Sequence, residues 1–375
     1  MKKLVTMAVG ALMIAGCTAT KKVEAEKTQA EQLFERLDTL RQKGYMFGHQ
    51  DDPFYGLTWD YQPDSSDVKN TCGDWPAVMG FELGGIEMGD QKNLDSVPFT
   101  KMRDEIIKHY ERGGVVTISW HPRNPMTTIE GGGLAGQKFP EGTAWDVTDT
   151  TVVKNILEGG KKHELFKTWM QRVSDLLAQL KTADGKKVPI IFRPWHENTG
   201  SWFWWGENLC TDEDYRALWR MTYDYVAVER GLDNYLWAYS PSSTDLAKAM
   251  DRYPGDDIVG LIGVDHYDSY GDDEVHDGFI RDMRRCLEYL SGVARQHGLL
   301  LAVTETGQES VPCQTWWTEV LQPSVEGFPV SYVLTWRNAS DRPAHFFGPW
   351  KGAACEKDFL DFHDSDKTLF LKDLD

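Results

Sequence analysis

The feature that most narrows what this chain can fold into is an alternation. Short apolar runs, rich in β-branched and aromatic residues, occupy 45–48, 77–82, 115–120, 188–193, 235–239, 258–264, 299–304 and 330–335. A strand buried on both faces is apolar throughout, whereas a half-buried one alternates, so these runs predict a parallel sheet covered on both sides. Between them lie segments with apolar residues at helical spacing, over 29–43 (Leu33, Leu37, Leu40), 101–111, 165–180, 212–230 and 278–297. Eight strands alternating with helices over about 330 residues predict a (β/α)8 TIM barrel, an α/β fold, as one domain at 29–375 with enlarged loops at the carboxyl face. The longest aperiodic stretch, 124–161, holds Gly131-Gly132-Gly133 and Ala144-Trp145-Asp146. It follows the third strand, so it is expected above the barrel mouth, where it could close one end of a groove.

The amino terminus reads as an address. Lys2 and Lys3 precede an apolar stretch, 4–14, too short to cross a bilayer as a helix. It ends in Ile14-Ala15-Gly16-Cys17, which resembles the lipobox of bacterial lipoproteins. That resemblance implies a signal peptide at 1–17, acylation of Cys17, a tether at 18–28 and export, with the lipid anchor as the sole membrane contact. The residues after Cys17, Thr18-Ala19-Thr20-Lys21-Lys22, lack the acidic run of some surface-exported lipoproteins, so a periplasm-facing anchor is expected. Five further cysteines have neither CxxC nor Cys/His spacing, so no metal or other cofactor is expected and no disulfide can be assigned. A net charge of −18 argues against nucleic acid and fits a neutral partner of a monomer. Fifteen Trp suit an aromatic-lined groove, with about half of them expected in the core.

The chemistry is concentrated where the predicted strands end. The third ends in Trp120-His121, the fourth in Arg193-Pro194-Trp195-His196-Glu197-Asn198, the sixth in Asp265-His266-Tyr267, the seventh in Glu305-Thr306-Gly307 and the eighth in Trp336-Arg337-Asn338. Strands four and seven face each other across a barrel mouth, so Glu197 and Glu305 can converge on one bond. Two such carboxylates are what a retaining glycosidase needs, one as acid/base and one as nucleophile. The roles require opposite environments. Glu305 should stay ionised, with Tyr267 and Arg193 as donors, and Glu197 should be held protonated by aromatic surroundings such as Trp202. Glu82, ending the second strand, is a rival carboxylate whose expected role is structural. His49, His121, His196 and His266 near strand ends leave open a metal-dependent barrel hydrolase.

The segments 115–121, 192–206, 264–267, 304–307 and 335–338 resemble glycoside hydrolase family 26, most members of which are β-mannanases. The most specific part is Arg193-Pro194-Trp195-His196-Glu197 followed by Trp202-Phe203-Trp204-Trp205-Gly206, with His rather than Asn before the acid/base. The resemblance implies hydrolysis, with retention, of β-1,4-mannosidic bonds in mannan, galactomannan or manno-oligosaccharides. It assigns Glu197 as acid/base and Glu305 as nucleophile, and His121, His196 and Trp202 to the cleaved sugar's subsite. It further assigns Tyr267 to the nucleophile, Trp336 and Arg337 to the non-reducing side, and Trp145 to a nearby loop. Arg193 is expected either to touch substrate or to serve as an ion-pair partner. Mixed-linkage β-glucan and β-1,3-xylan stay open as substrates, as does a non-catalytic glycan-binding lipoprotein, which would not need both glutamates.

Overall fold

The computed structural model describes residues 26–129, 138–269 and 276–374. Cys17, the apolar stretch 4–14 and Gly131-Gly132-Gly133 therefore lie outside the described residues. Eight parallel strands form the barrel: β1 (Tyr45–Gln50), β2 (Val78–Glu82), β3 (Val115–Trp120), β4 (Ile190–Pro194), β5 (Tyr235–Tyr239), β6 (Val259–Asp265), β7 (Leu300–Thr306) and β8 (Val330–Thr335). Pairing of β8 with β1, Met46 opposite Tyr332 through His49 opposite Thr335, closes it. All eight strands fall on the expected runs, with ends shifted by up to two residues.

The helices follow their expected stripes. The first, Gln29–Leu40, starts at a capping box in which Thr28 accepts from the Glu31 backbone and Glu31 reaches back to Thr28. Its Leu33, Leu37 and Leu40 join a cluster with Met46, Val78, Val115, Ile191, Leu261 and Leu300, the inward residues of the strands. This helix therefore plugs the barrel floor, and the interior is packed rather than hollow. Helix 212–230 is interrupted: α-helix ends at Tyr223 and a π-turn, Asp224–Glu229, completes it. The loop after β3 holds a short helix at Val152–Ile156, and its described part sends Phe139, Thr143 and Trp145 to the mouth. Among the described residues no helix is long and apolar enough to cross a membrane. All five described cysteines are free thiols.

Strand β7 departs from regular alternation near its end. Leu300 and Ala302 pack in the barrel interior while Leu301 and Val303 pack against the helices, so simple alternation would send residue 305 outward. The register against β6 slips between Val264–Val303 and Asp265–Glu305, and against β8 between Val333–Val303 and Thr335–Thr306. β7 thus carries one extra residue relative to both neighbours. This β-bulge turns Glu305 into the mouth.

Candidate active site

Above the apolar interior the strands end in a polar layer. Arg193, at the end of β4, is buried and donates from Nη1 to Asp265 Oδ2 at 2.8 Å and to Ser240 Oγ at 3.1 Å. Its Nη2 donates to Glu305 Oε1, and Tyr267 Oη donates to Glu305 Oε2 at 2.7 Å. Both donors expected for Glu305 are therefore in place. Burial opposes charge on Arg193, but Asp265 and Glu305 outweigh it and keep the group a guanidinium. His196, Asp265 and Glu305 are close enough to suggest a metal site, yet the Arg193 cation already bonds both carboxylates.

Glu197 sits beyond β4 on backbone that leaves the strand abruptly. Trp195 (φ 54°) and Glu197 (φ 55°) both adopt the left-handed region that costs a residue with a Cβ about 1–2 kcal/mol each. The turn is pinned by Glu197 N donating to Ser240 O at 2.7 Å and by Gly200 N donating to Glu197 O at 2.9 Å. Trp202 lies over this turn and donates from Nε1 to Glu197 Oε2 at 2.5 Å. Only glycine fits at 200, because a Cβ there would come within 2.3 Å of the Trp202 ring. Burial and the Glu305 charge push Glu197 up to about 7, against the opposing bond from Trp202. Two carboxylates in unlike surroundings thus share one cavity.

A third carboxylate supports the site. Buried Glu82, at the end of β2, accepts from Ser119 Oγ at 2.7 Å and from the His121 backbone at 2.7 Å, and lies 2.8 Å from His121 Nδ1. Burial opposes charge on both partners, but their attraction wins: Glu82 is lowered and His121 raised. The Nε2 of His121 lies 2.9 Å from His196 Nε2. Burial and the charges of Arg193 and His121 hold His196 far below the usual range.

The cavity, about 530 Å³, is lined by His121, Trp145, Glu197, Trp202, Tyr267, Glu305 and Trp336 among others. A second cavity of similar size adjoins it, sharing His121, Trp145 and Trp336 and adding Arg337, Asp95 and Phe139. Trp145 stacks on His121, centroids 5.5 Å apart and 12° between planes. Arg337 reaches this distal cavity while paired with Asp95 at 2.9 Å. Arg193 and His196, expected among the substrate contacts, line neither cavity. Each is 1% exposed beneath the floor of the cleft, so each can act only through its neighbours. Of the aromatic run, Trp204 and Trp205 are wholly buried against Trp195, and Trp202 is 38% exposed. Sequence reasoning missed Phe347 and His345 as lining residues. Their segment has no strand-end signature, and only their aromatic character marked them.

The sequence profile of glycosyl hydrolase family 26 matches residues 23–287. A mannan endo-1,4-beta-mannosidase of Bifidobacterium adolescentis is 30% identical over 361 residues, covering 90% of this chain and 34% of its own length. Another, of Bacillus subtilis, is 30% identical over 231 residues, covering 59% of this chain and 57% of its own. The chain thus spans between 34% and 57% of these two relatives. The solved structure of a GH26 beta-mannanase from Bacteroides ovatus superposes with a TM-score of 0.86 at 41% identity, covering 93% of this chain and 97% of that one. The catalytic domain of a GH26 endo-beta-1,4-mannanase from Bacillus sp. JAMB-750 gives 0.80 at 27% identity, covering 92% of each. With the profile extending from before the first helix through most of the barrel, and the same barrel recurring in these structures, the chain belongs to glycosyl hydrolase family 26.

Proposed function

We propose that this protein hydrolyses β-1,4-mannosidic bonds in mannan, galactomannan or manno-oligosaccharides, with retention of anomeric configuration. The observation that carries the reading is the pairing in one cavity of Glu197, pushed up to about 7, with Glu305, held by two donors. Glu197 gives its proton to the leaving glycosidic oxygen while Glu305 attacks the anomeric carbon from the opposite face. Water then enters, Glu197 takes its proton as base, and the bond to Glu305 breaks. His121 and Trp202 line the cavity on the side read as the cleaved sugar's subsite, and Trp336 lines it toward the non-reducing side. The names of the relatives support mannan over β-glucan or β-1,3-xylan. The test is an assay of wild type on mannan, β-glucan and xylan with EDTA present, following the anomeric signal by NMR. Mannose-terminated products of β configuration at first appearance are expected. Cleavage of only the other glycans, α products, or loss of activity in EDTA would each overturn a named part of the reading.

The distal cavity, walled by Phe139 and Trp145 of the long loop and by Arg337, supports release of short products, mannobiose foremost, from chain ends. Random mid-chain cuts of mannohexaose from the earliest times would sink this. Cys17 after its apolar stretch supports a lipid anchor, the non-acidic run Thr18-Ala19-Thr20-Lys21-Lys22 supports one that faces the periplasm, and the net charge of −18 argues against a nucleic-acid partner. Wild type that fractionates with the soluble proteins, as Cys17→Ala is expected to, would refute the anchor.

A further inference from the structure

We propose that Phe347 is a positioning residue of the reaction: from a clasp between the loops after β7 and β8, its ring holds Tyr267 against Glu305. This rests on the reading of Glu305 as nucleophile. The backbone around Tyr267 is pinned to β7, with His266 N donating to Glu305 O at 3.0 Å and Asp268 N to Gly307 O at 2.9 Å. These bonds place the chain but leave the phenol ring free to turn. What it meets is Phe347, at 5.5 Å between centroids and 67° between planes, an edge-to-face contact. The same ring seats over Gly307, two residues beyond the nucleophile. A Cβ at 307 would come within 2.8 Å of Phe347 Cβ, and the φ of 148° there suits glycine.

Phe347 is itself fixed. Asn338 Oδ1 accepts from Phe347 N at 3.1 Å and from Gly348 N at 2.8 Å, and Asn338 Nδ2 donates to Asp67 Oδ2 at 2.8 Å. Just before it the loops are joined. Ser310 N donates to Phe346 O at 2.8 Å, Ser310 Oγ to Ala344 O at 2.6 Å, and His345 Nδ1 lies 2.9 Å from Glu309 Oε1. Ser310 (φ 65°), Val311 (φ 39°) and Ala344 (φ 65°) all occupy the left-handed region, and for β-branched Val311 that is a strained choice. Strain at three residues in two facing segments is held only where the surroundings over-determine it. Here the outcome is a fixed place for one aromatic ring beside the nucleophile's hydrogen-bond donor.

The test couples three positions. Covalent trapping by a 2-deoxy-2-fluoro-mannosyl fluoride reports attack by Glu305, and a residue that is merely structural would not move it at equal folded fraction. Tyr267→Phe is expected to slow trapping about 10- to 100-fold, the worth of a hydrogen bond to a charged group. Phe347→Ala and Gly307→Ala should each slow it by up to that factor, lower kcat and leave KM nearly unchanged, while Phe347→Tyr restores the rate. In the Tyr267→Phe background neither change should add anything, because the ring it positions has lost its hydroxyl. Full additivity, a rise in KM alone, or a Tyr267→Phe that traps as fast as the parent would overturn the proposal and leave the nucleophile assignment standing. Trapping of Glu305→Ala would instead bring down that assignment, and the proposal with it.

Discussion

The two glutamates of the cleft differ in everything but their side chain. Glu305 lies on a strand, turned inward by a bulge and held by an arginine and a tyrosine. Glu197 lies past a strand on a left-handed turn, beside an indole and, among the described residues, with no ion-pair partner. The first arrangement supplies two hydrogen-bond donors, one of them a cation. The second withdraws water and puts a neighbouring negative charge in view, so the proton stays near neutral pH. A catalytic role is thus set less by residue type than by which donors the adjoining strands bring up.

The most severe way to break the comparison is to remove each carboxylate in turn. Glu305→Ala is expected to lower kcat by at least about 10⁴-fold, since no other group can form the glycosyl–enzyme bond. Glu197→Ala should lose about 10²- to 10⁴-fold, and much less on substrates whose leaving group needs no proton. Added azide sharpens the distinction on an activated β-mannoside. It should restore Glu197→Ala to give the β-azide through the covalent intermediate, and Glu305→Ala to give the α-azide by direct attack. The same azide anomer from both variants would mean that the roles are misassigned.

Glu82 extends the comparison to a third buried carboxylate. It is deeper than either of the others, yet its partner His121 holds its carboxyl below the usual range. Glu82→Gln keeps the volume and removes the charge that raises His121, breaking a buried pair, and is expected to destabilise the fold by about 3 kcal/mol. The pH sign is set by the two shifts. The raised His121 contributes stability in full below the unfolded histidine value and loses it as pH rises through its folded value. The lowered Glu82 contributes above the unfolded glutamate value and loses it as pH falls through its folded value. The gap between parent and variant in denaturant midpoints should therefore be widest between the unfolded glutamate and histidine values and shrink as pH rises through the folded value of His121. A gap independent of pH would show that shape rather than charge ties this pair.

How much of the fold and the site is legible in the sequence depends on range. Strand runs such as 115–120 are readable because burial on both faces leaves a local apolar signature, and the strand-end motifs are readable because parallel topology collects them at one mouth. The orientation of Glu305 is not. Parity within β7 points it the wrong way, and the bulge that corrects it is a register slip against two other strands. Arg193 is legible as a donor, but that it lies beneath the cleft depends on Asp265 and Glu305, which lie 72 and 112 residues away in sequence. Phe347 illustrates the same limit, since its contact with Tyr267 joins two loops that no local pattern links. Trp202 and Trp205 look alike in sequence, yet one is exposed and the other wholly buried, because Trp205 donates from Nε1 to His196 O at 2.8 Å.

Trp202 offers the smallest and finest test of the comparison. Its bond is the single hydrogen bond that opposes burial and the Glu305 charge in setting the Glu197 proton. Trp202→Phe keeps an aromatic face over the turn and takes away the donor, so the protonated acid should persist to higher pH. The basic limb of kcat/KM, expected near 7 in the parent, should then move up by about half a pH unit to one unit, the equivalent of one modest hydrogen bond. The donors to Glu305, Arg193 and Tyr267, are untouched by this change, so the acid limb should stay where it is. A shift of both limbs together would mean that the two environments are not separately set. A downward shift of the basic limb would mean that the indole desolvates Glu197 more than it stabilises the charge.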